Sequence, residues 1–241
     1  MQSKSLGVKA MRIQAILHAA FEPLGIIEEW AEERQHDVTI TRSYDGEPLP
    51  NSASFDFLIL MGGPQSSLEL KKYPYLREEI ALIKQALNEN KLVLGVCLGA
   101  QLIGDALGAK PERSPEKEVG VFPIELTSHA RDDALLKDFP EQFDVMHWHN
   151  DMPGLPSSAQ VLARSRGCPR QIVRFSPRAY GFQCHFEVTA SVAQGLIDRC
   201  PSDLSPSRYV QSADQILQSS FDSFNHKMKT ILDRLSGQSA P

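Results

Sequence analysis

Apolar residues in the first half of the chain fall in short runs separated by stretches of helical period. Arg12–Leu17 reads as an opening strand, Val38–Thr41 and Phe55–Met61 as the next two, and Ile26–Glu33 as a helix between the first pair. The run FDFLILM is nearly unbroken in apolar residues, as a strand covered on both faces requires. Tyr75–Asn90 sets Leu76, Ile80, Ile83 and Leu87 at helical spacing. Leu92–Val96 is again strand-like, and Leu98–Leu107 again helical, with Gly108 as its stop. Strands alternating with helices of this length predict an α/β fold: a mostly parallel central sheet, flavodoxin-like, with helices on both faces.

The pattern then changes. Val119–Leu126, Val145–Trp148, Val161–Ala163, Ile172–Phe175 and Tyr180–His185 are strand candidates with few helices between them, which predicts a small antiparallel extension of the sheet. After Thr189 the helical period returns. From about Ser207 to Leu235 a continuous apolar stripe predicts an amphipathic C-terminal helical tail, with Ser205 as N-cap and Pro206 at the first helical position. The expected organisation is a leader over 1–11, a main domain over 12–200 and a helical extension over 201–241 packed on that domain.

Composition narrows the classes. The 25 basic and 30 acidic residues give a formal charge of −5, so no global basic field points to nucleic acid. No apolar run approaches the ~18 residues of a membrane helix, and the leader MQSKSLGVKA has no apolar core of a secretory signal. Four irregularly spaced cysteines read as reduced thiols of a cytoplasmic protein rather than a disulfide framework.

The chemistry concentrates in KLVLGVCLGAQLIGDALG, residues 91–108. Gly95-Val96-Cys97-Leu98-Gly99 stands between a buried strand and a helix, the G-x-nucleophile-x-G elbow with cysteine in the serine position. Two glycines clear the space around a tightly turned nucleophile, and the helix N-terminus favours an anion there. A lone cysteine at a strand end is ordinarily a small buried hydrophobe; the phased glycines and the strand–turn–helix context favour the nucleophile. Downstream, His185 and Glu187 stand two apart at the end of a strand candidate. On an extended backbone they face one way, so Glu187 can orient the imidazole toward Cys97 while Cys184 points into the core. Met61-Gly62-Gly63-Pro64 ends the FDFLILM strand, and an amide of that loop together with that of Leu98 would make an oxyanion hole. GGPQSS is not a phosphate loop, because its proline lacks an N–H and no Gly-Lys-Ser/Thr follows. His147 and His149, at i and i+2, would bring two imidazoles together on a strand. No third ligand completes a recognised metal spacing, Asp151 being the nearest candidate, so no metal is expected.

In order and approximate separation, the Gly-Gly-Pro loop, the GVCLGAQ elbow and Gln183-Cys184-His185-Phe186-Glu187-Val188-Thr189 resemble the class I glutamine amidotransferase domain over residues 12–195. They are closest to the stand-alone group similar to the glutaminase domain of GMP synthase, in which HWHND (147–151) is also familiar. The resemblance implies a Cys97–His185–Glu187 triad, an oxyanion hole from the Gly63 and Leu98 amides, and Gln101 near bound glutamine. It also implies a loop carrying His149, Asn150 and Asp151 near the substrate. The activity implied is release of ammonia from glutamine through a γ-glutamyl thioester, with no metal or organic cofactor. Cys184 and Phe186 depart from the family's usual aromatic and proline around the histidine. Partners expected on this basis are glutamine or another γ-glutamyl compound, a separate synthetase subunit and a homodimer, with no nucleic acid or membrane. The competing readings are a γ-glutamyl peptidase-like hydrolase and a non-catalytic thiol regulator that keeps the fold.

Overall fold

The computed structural model describes residues 10–237; the predicted leader lies outside them up to residue 9. In chain order the elements are β1 (Arg12–Leu17), α1 (Ile26–Glu33), β2 (Asp37–Arg42), β3 (Phe57–Leu60), α2 (Leu76–Asn88), β4 (Leu92–Val96), α3 (Leu98–Ala106), β5 (Glu112–Leu126), α4 (Ser128–Arg131) and β6 (Gln142–Met152). They continue as β7 (Gln160–Arg164), β8 (Ile172–Ser176), β9 (Ala179–Phe182), α5 (Ala190–Arg199), β10 (Tyr209–Val210), α6 (Ala213–Leu217) and α7 (Asp222–Ser236).

Among the described residues the strands join one 10-stranded sheet. Its parallel half runs β2-β1-β3-β4-β9, the doubly wound order whose ligand crevice opens at the carboxyl ends of the strands. From β9 the sheet continues antiparallel through β8, β7, β5 and β6, and β10 adds a short parallel edge to β5. Strand β3 shows why its sequence is apolar throughout. Phe57 and Ile59 enter the core under α1 and α7, whereas Leu58 and Leu60 enter the one under α2 and α3. Helix α3 is buried along its whole length, and Gly108 follows it at φ 88, the left-handed stop its position predicts.

The C-terminal stripe is not one helix. Tyr209 and Val210 pair with Glu118 and Val119 of β5, which pulls the chain out of helical geometry just after Pro206. Helix α6 begins later, at Ser212, with a complete capping box to Gln215, and neither Ser205 nor Pro206 opens a helix of the stripe. Helix α7 then lies on α1: Asp233 accepts from Trp30 Nε1 at 2.8 Å and from Arg34 Nε and Nη2 at 2.9 and 2.8 Å.

Candidate active site

At the carboxyl edge of the parallel strands, β4 breaks into α3 at Cys97, whose backbone holds φ 51 and ψ −108. A β-carbon-bearing residue reaches that region only under strain, which the surroundings must over-determine. Here they do. The Cys97 N–H donates to the Phe182 carbonyl of β9 at 2.7 Å, and the elbow closes so tightly that a Cβ at Gly95 would meet the Gly99 backbone and one at Gly99 the Leu60 carbonyl. The thiol emerges onto a cavity of about 260 Å³.

Strand β9 ends at Phe182, short of the predicted His185. His185 is instead fixed by an isolated antiparallel bridge to Met146 of β6, with its N–H on the Met146 carbonyl at 2.8 Å. Its Nδ1 donates to Glu187 Oε1 at 2.7 Å, and both side chains are buried behind the cavity wall. Nδ1–H thus points to the carboxylate, and Nε2 makes no hydrogen bond of regular geometry. Burial opposes charge on this ring, but Glu187 and the Cys97 thiol outweigh it and raise its pKa well above the ordinary value. Cys184 faces away, fully buried, its thiol on the Gln171 carbonyl.

The loop after β3 carries Gly63 to the same cavity, across from Leu98 at the first turn of α3. It is braced by His18 at the end of β1, whose Nδ1 and Nε2 face the Met61 carbonyl at 2.9 Å and Glu79 Oε2 at 2.8 Å. Burial opposes charge on this ring and Glu79 prevails, raising its pKa. Gln101 lines the cavity and donates to Gln183 Oε1 at 3.0 Å, and Gln183 Nε2 donates to Cys97 Sγ at 3.4 Å. Gln183 was missed in the sequence, although it shares the alternation of His185 and Glu187 and the same extended-backbone argument reaches it.

His149, Asn150 and Asp151 line the cavity too, but from strand β6 rather than a loop. Asp151 meets Arg113 at 3.2 Å and does not join the histidines. Their acidic neighbour is Glu118 of β5, with Oε2 3.3 Å from His149 Nε2 and 3.7 Å from His147 Nδ1, all three buried. That oxygen already accepts from Ser165 Oγ and Gln171 Nε2, each at 2.7 Å, which uses both its lone-pair directions. Glu118, Ser165, Gln171 and His149 are joined by hydrogen bonds, and His147 lies beside them on the Phe122 carbonyl; Glu118 is the third candidate ligand that the sequence spacing did not show, its atoms and those of both histidines lying within 4.8 Å of one another. Burial would raise the Glu118 carboxyl; His149, His147 and Ser165 together hold it below its usual value. Burial also pushes His147 down to about 4.

A sequence reading that starts from motifs also missed Glu22, which lines the cavity wall together with Cys97. Burial raises the pKa of the Glu22 carboxyl to about 7, with His185 pulling it back and Glu187 adding to the rise.

The family model for glutamine amidotransferase class-I matches residues 26–199. A glutamine amidotransferase-like protein of Salmonella typhimurium, YfeJ, is 42% identical over 233 residues, covering 94% of this chain and 98% of that protein. The GMP synthase [glutamine-hydrolyzing] of Aeropyrum pernix is 35% identical over 144 residues, 59% of this chain but only 26% of the synthase. Among solved structures, SMU.1228c superposes with a TM-score of 0.89 at 46% identity, covering 93% of this chain and 99% of the other. A glutamine amidotransferase from Thermotoga maritima superposes with a TM-score of 0.85 at 26% identity, covering 95% and 99%. With most of its length matched and its elbow built at the sheet's carboxyl edge, the chain belongs to the class-I glutamine amidotransferase family and is related to the glutaminase domain of GMP synthase.

Proposed function

We propose that Cys97, His185 and Glu187 act as a triad that hydrolyses the side-chain amide of glutamine and releases ammonia. The observation that carries this reading is the directed pair: Glu187 takes the Nδ1 proton of His185 at 2.7 Å, so Nε2 is the nitrogen left to exchange a proton with the site. In the first half-reaction the Cys97 thiolate attacks the amide carbon, and the carbonyl electrons move to oxygen, facing the Gly63 and Leu98 amides. His185 Nε2 gives its proton to the amide nitrogen, the C–N bond breaks and ammonia leaves a γ-glutamyl thioester. Water then attacks the thioester carbon, His185 takes its proton, the C–S bond breaks, and glutamate leaves while the Cys97 thiolate and protonated His185 are restored. Only side-chain and backbone groups are needed, with no cofactor.

The cavity of about 260 Å³ supports an amino-acid-sized substrate over a γ-glutamyl peptide, since it falls below the usual range for larger ligands. Gln101, His149, Asn150 and Asp151 are the residues proposed to meet the glutamine main-chain end. A synthetase is the proposed consumer of the ammonia, supported by the relatedness of this chain to the glutaminase domain of GMP synthase. Product analysis tests the reading: purified protein offered glutamine beside γ-glutamyl dipeptides should release ammonia from the former, and Cys97→Ala should release none. Amine from the dipeptides with no ammonia from glutamine would assign the site to peptidase chemistry.

A further inference from the structure

Resting on that reading, we infer that Glu22 is a further catalytic residue: its carboxylate accepts an N–H of the leaving nitrogen and so selects amides over esters at the γ-glutamyl carbon. Three observations lead there. Glu22 lines the cavity together with Cys97, and it precedes the stretch matched by the family model. A Cβ placed at Gly62 would overlap Glu22 Oε2 and lie 3.4 Å from Cys97 Cβ, so carboxyl and nucleophile flank the space of one absent methyl group. The only hydrogen bond of Glu22 among the described residues is that of its backbone N–H to the Ala19 carbonyl, which leaves the carboxyl without a partner in the protein.

Glu22 is half-buried and its carboxyl oxygens stay open to the cavity, so they are free to meet a group bound there. Position decides which. The ammonium of a γ-glutamyl substrate lies four bonds from the attacked carbon, so a group placed beside the Cys97 Cβ is nearer to the atoms bonded to that carbon. The atoms bonded directly to that carbon are within reach, and they are the carbonyl oxygen and the nitrogen. The oxygen becomes an oxyanion, which a carboxylate repels, so the nitrogen is the remaining partner. Glu22 also feels His185, the proton donor to that nitrogen, as its strongest charged neighbour; Glu187, His18 and Cys200 are the other titratable groups facing it. During acylation the S–C bond forms, the C–N bond breaks and the proton comes from His185 Nε2. Glu22 gains no proton; it accepts hydrogen bonds from the N–H groups and aims the nitrogen lone pair at the imidazole.

Glutamine and the γ-methyl ester of glutamate separate this role from a structural one, because the ester's leaving oxygen has no N–H. In Glu22→Gln, kcat/KM for glutamine should fall about tenfold or more, while that for the ester stays within about twofold of wild type. Glu22→Asp should recover part of the loss on glutamine alone. Equal losses on both substrates, or no loss on either, would overturn the inference while leaving the triad in place. A wild-type protein inert toward both compounds would instead overturn the triad reading on which it rests.

Discussion

At the scale of single residues, the site depends on side chains held where they are unfavourable in isolation. Cys97 keeps a positive φ because Phe182, Gly95 and Gly99 leave the elbow no relaxed alternative. His147 is sealed in as a neutral ring, its Nε2 3.2 Å from the Phe122 carbonyl. Its folded pKa, near 4, lies below the ~6.5 of an unfolded histidine, so the unfolded chain binds more protons between those values. The stability this ring contributes is present above pH ~6.5 and lost as pH falls toward 4, on the order of 3 kcal/mol in all. Urea titrations of wild type and His147→Gln across that window should show a shallower acid loss in the variant; parallel curves would refute the assignment. The elbow was legible in the sequence because its parts are adjacent, and the His185–Glu187 pair because its members stand two positions apart. Glu118 and Glu22 were not, since the first meets its partners, and the second reaches the Cys97 cavity, only through folding of distant segments. Asp151, nearer in sequence to the histidines, pairs with Arg113 instead.

At the scale of elements, the C-terminal helix does more than cover the sheet. Asn225 of α7, buried, donates from Nδ2 to the Phe186 carbonyl at 2.8 Å and the Val188 carbonyl at 3.0 Å, on either side of Glu187. From the other side, the Ile26 N–H at the start of α1 binds the Glu187 carbonyl at 2.9 Å. The segment carrying His185 and Glu187, the proposed base and its orienter, is thus clamped between two helices that Asp233 joins. Asn225→Ala leaves two buried carbonyls without that donor and should cost about 2 kcal/mol of unfolding free energy by urea denaturation. It should also lower kcat more than it raises KM, because the imidazole loses its setting; unchanged stability and turnover would contradict the clamp. This element was only half legible. The 3.6-residue period runs unbroken through 207–235, but periodicity carries no signal for the strand pairing of Tyr209 and Val210 to β5 that divides it.

At the scale of the whole molecule, the parallel half of the sheet was readable because its strands are apolar on both faces and its helices intervene regularly. The antiparallel half could be anticipated as strands but not as an order, since β5 pairs with three others in two directions. That half matters to the proposed chemistry: β6 bridges to His185 and lines the cavity facing Cys97, so the proposed nucleophile and base are positioned by opposite parts of one sheet. No helix among the described residues is long and apolar enough to cross a membrane. The central claim is that Cys97 and His185 work as one unit across that junction. Peptide mapping by mass spectrometry after treatment with a glutamine-like diazoketone tests it most directly. The account predicts a single adduct on Cys97, absent from Cys97→Ala and formed roughly 10²-fold more slowly or worse in His185→Asn. Label spread over Cys168 and Cys200, or a rate indifferent to His185, would contradict it.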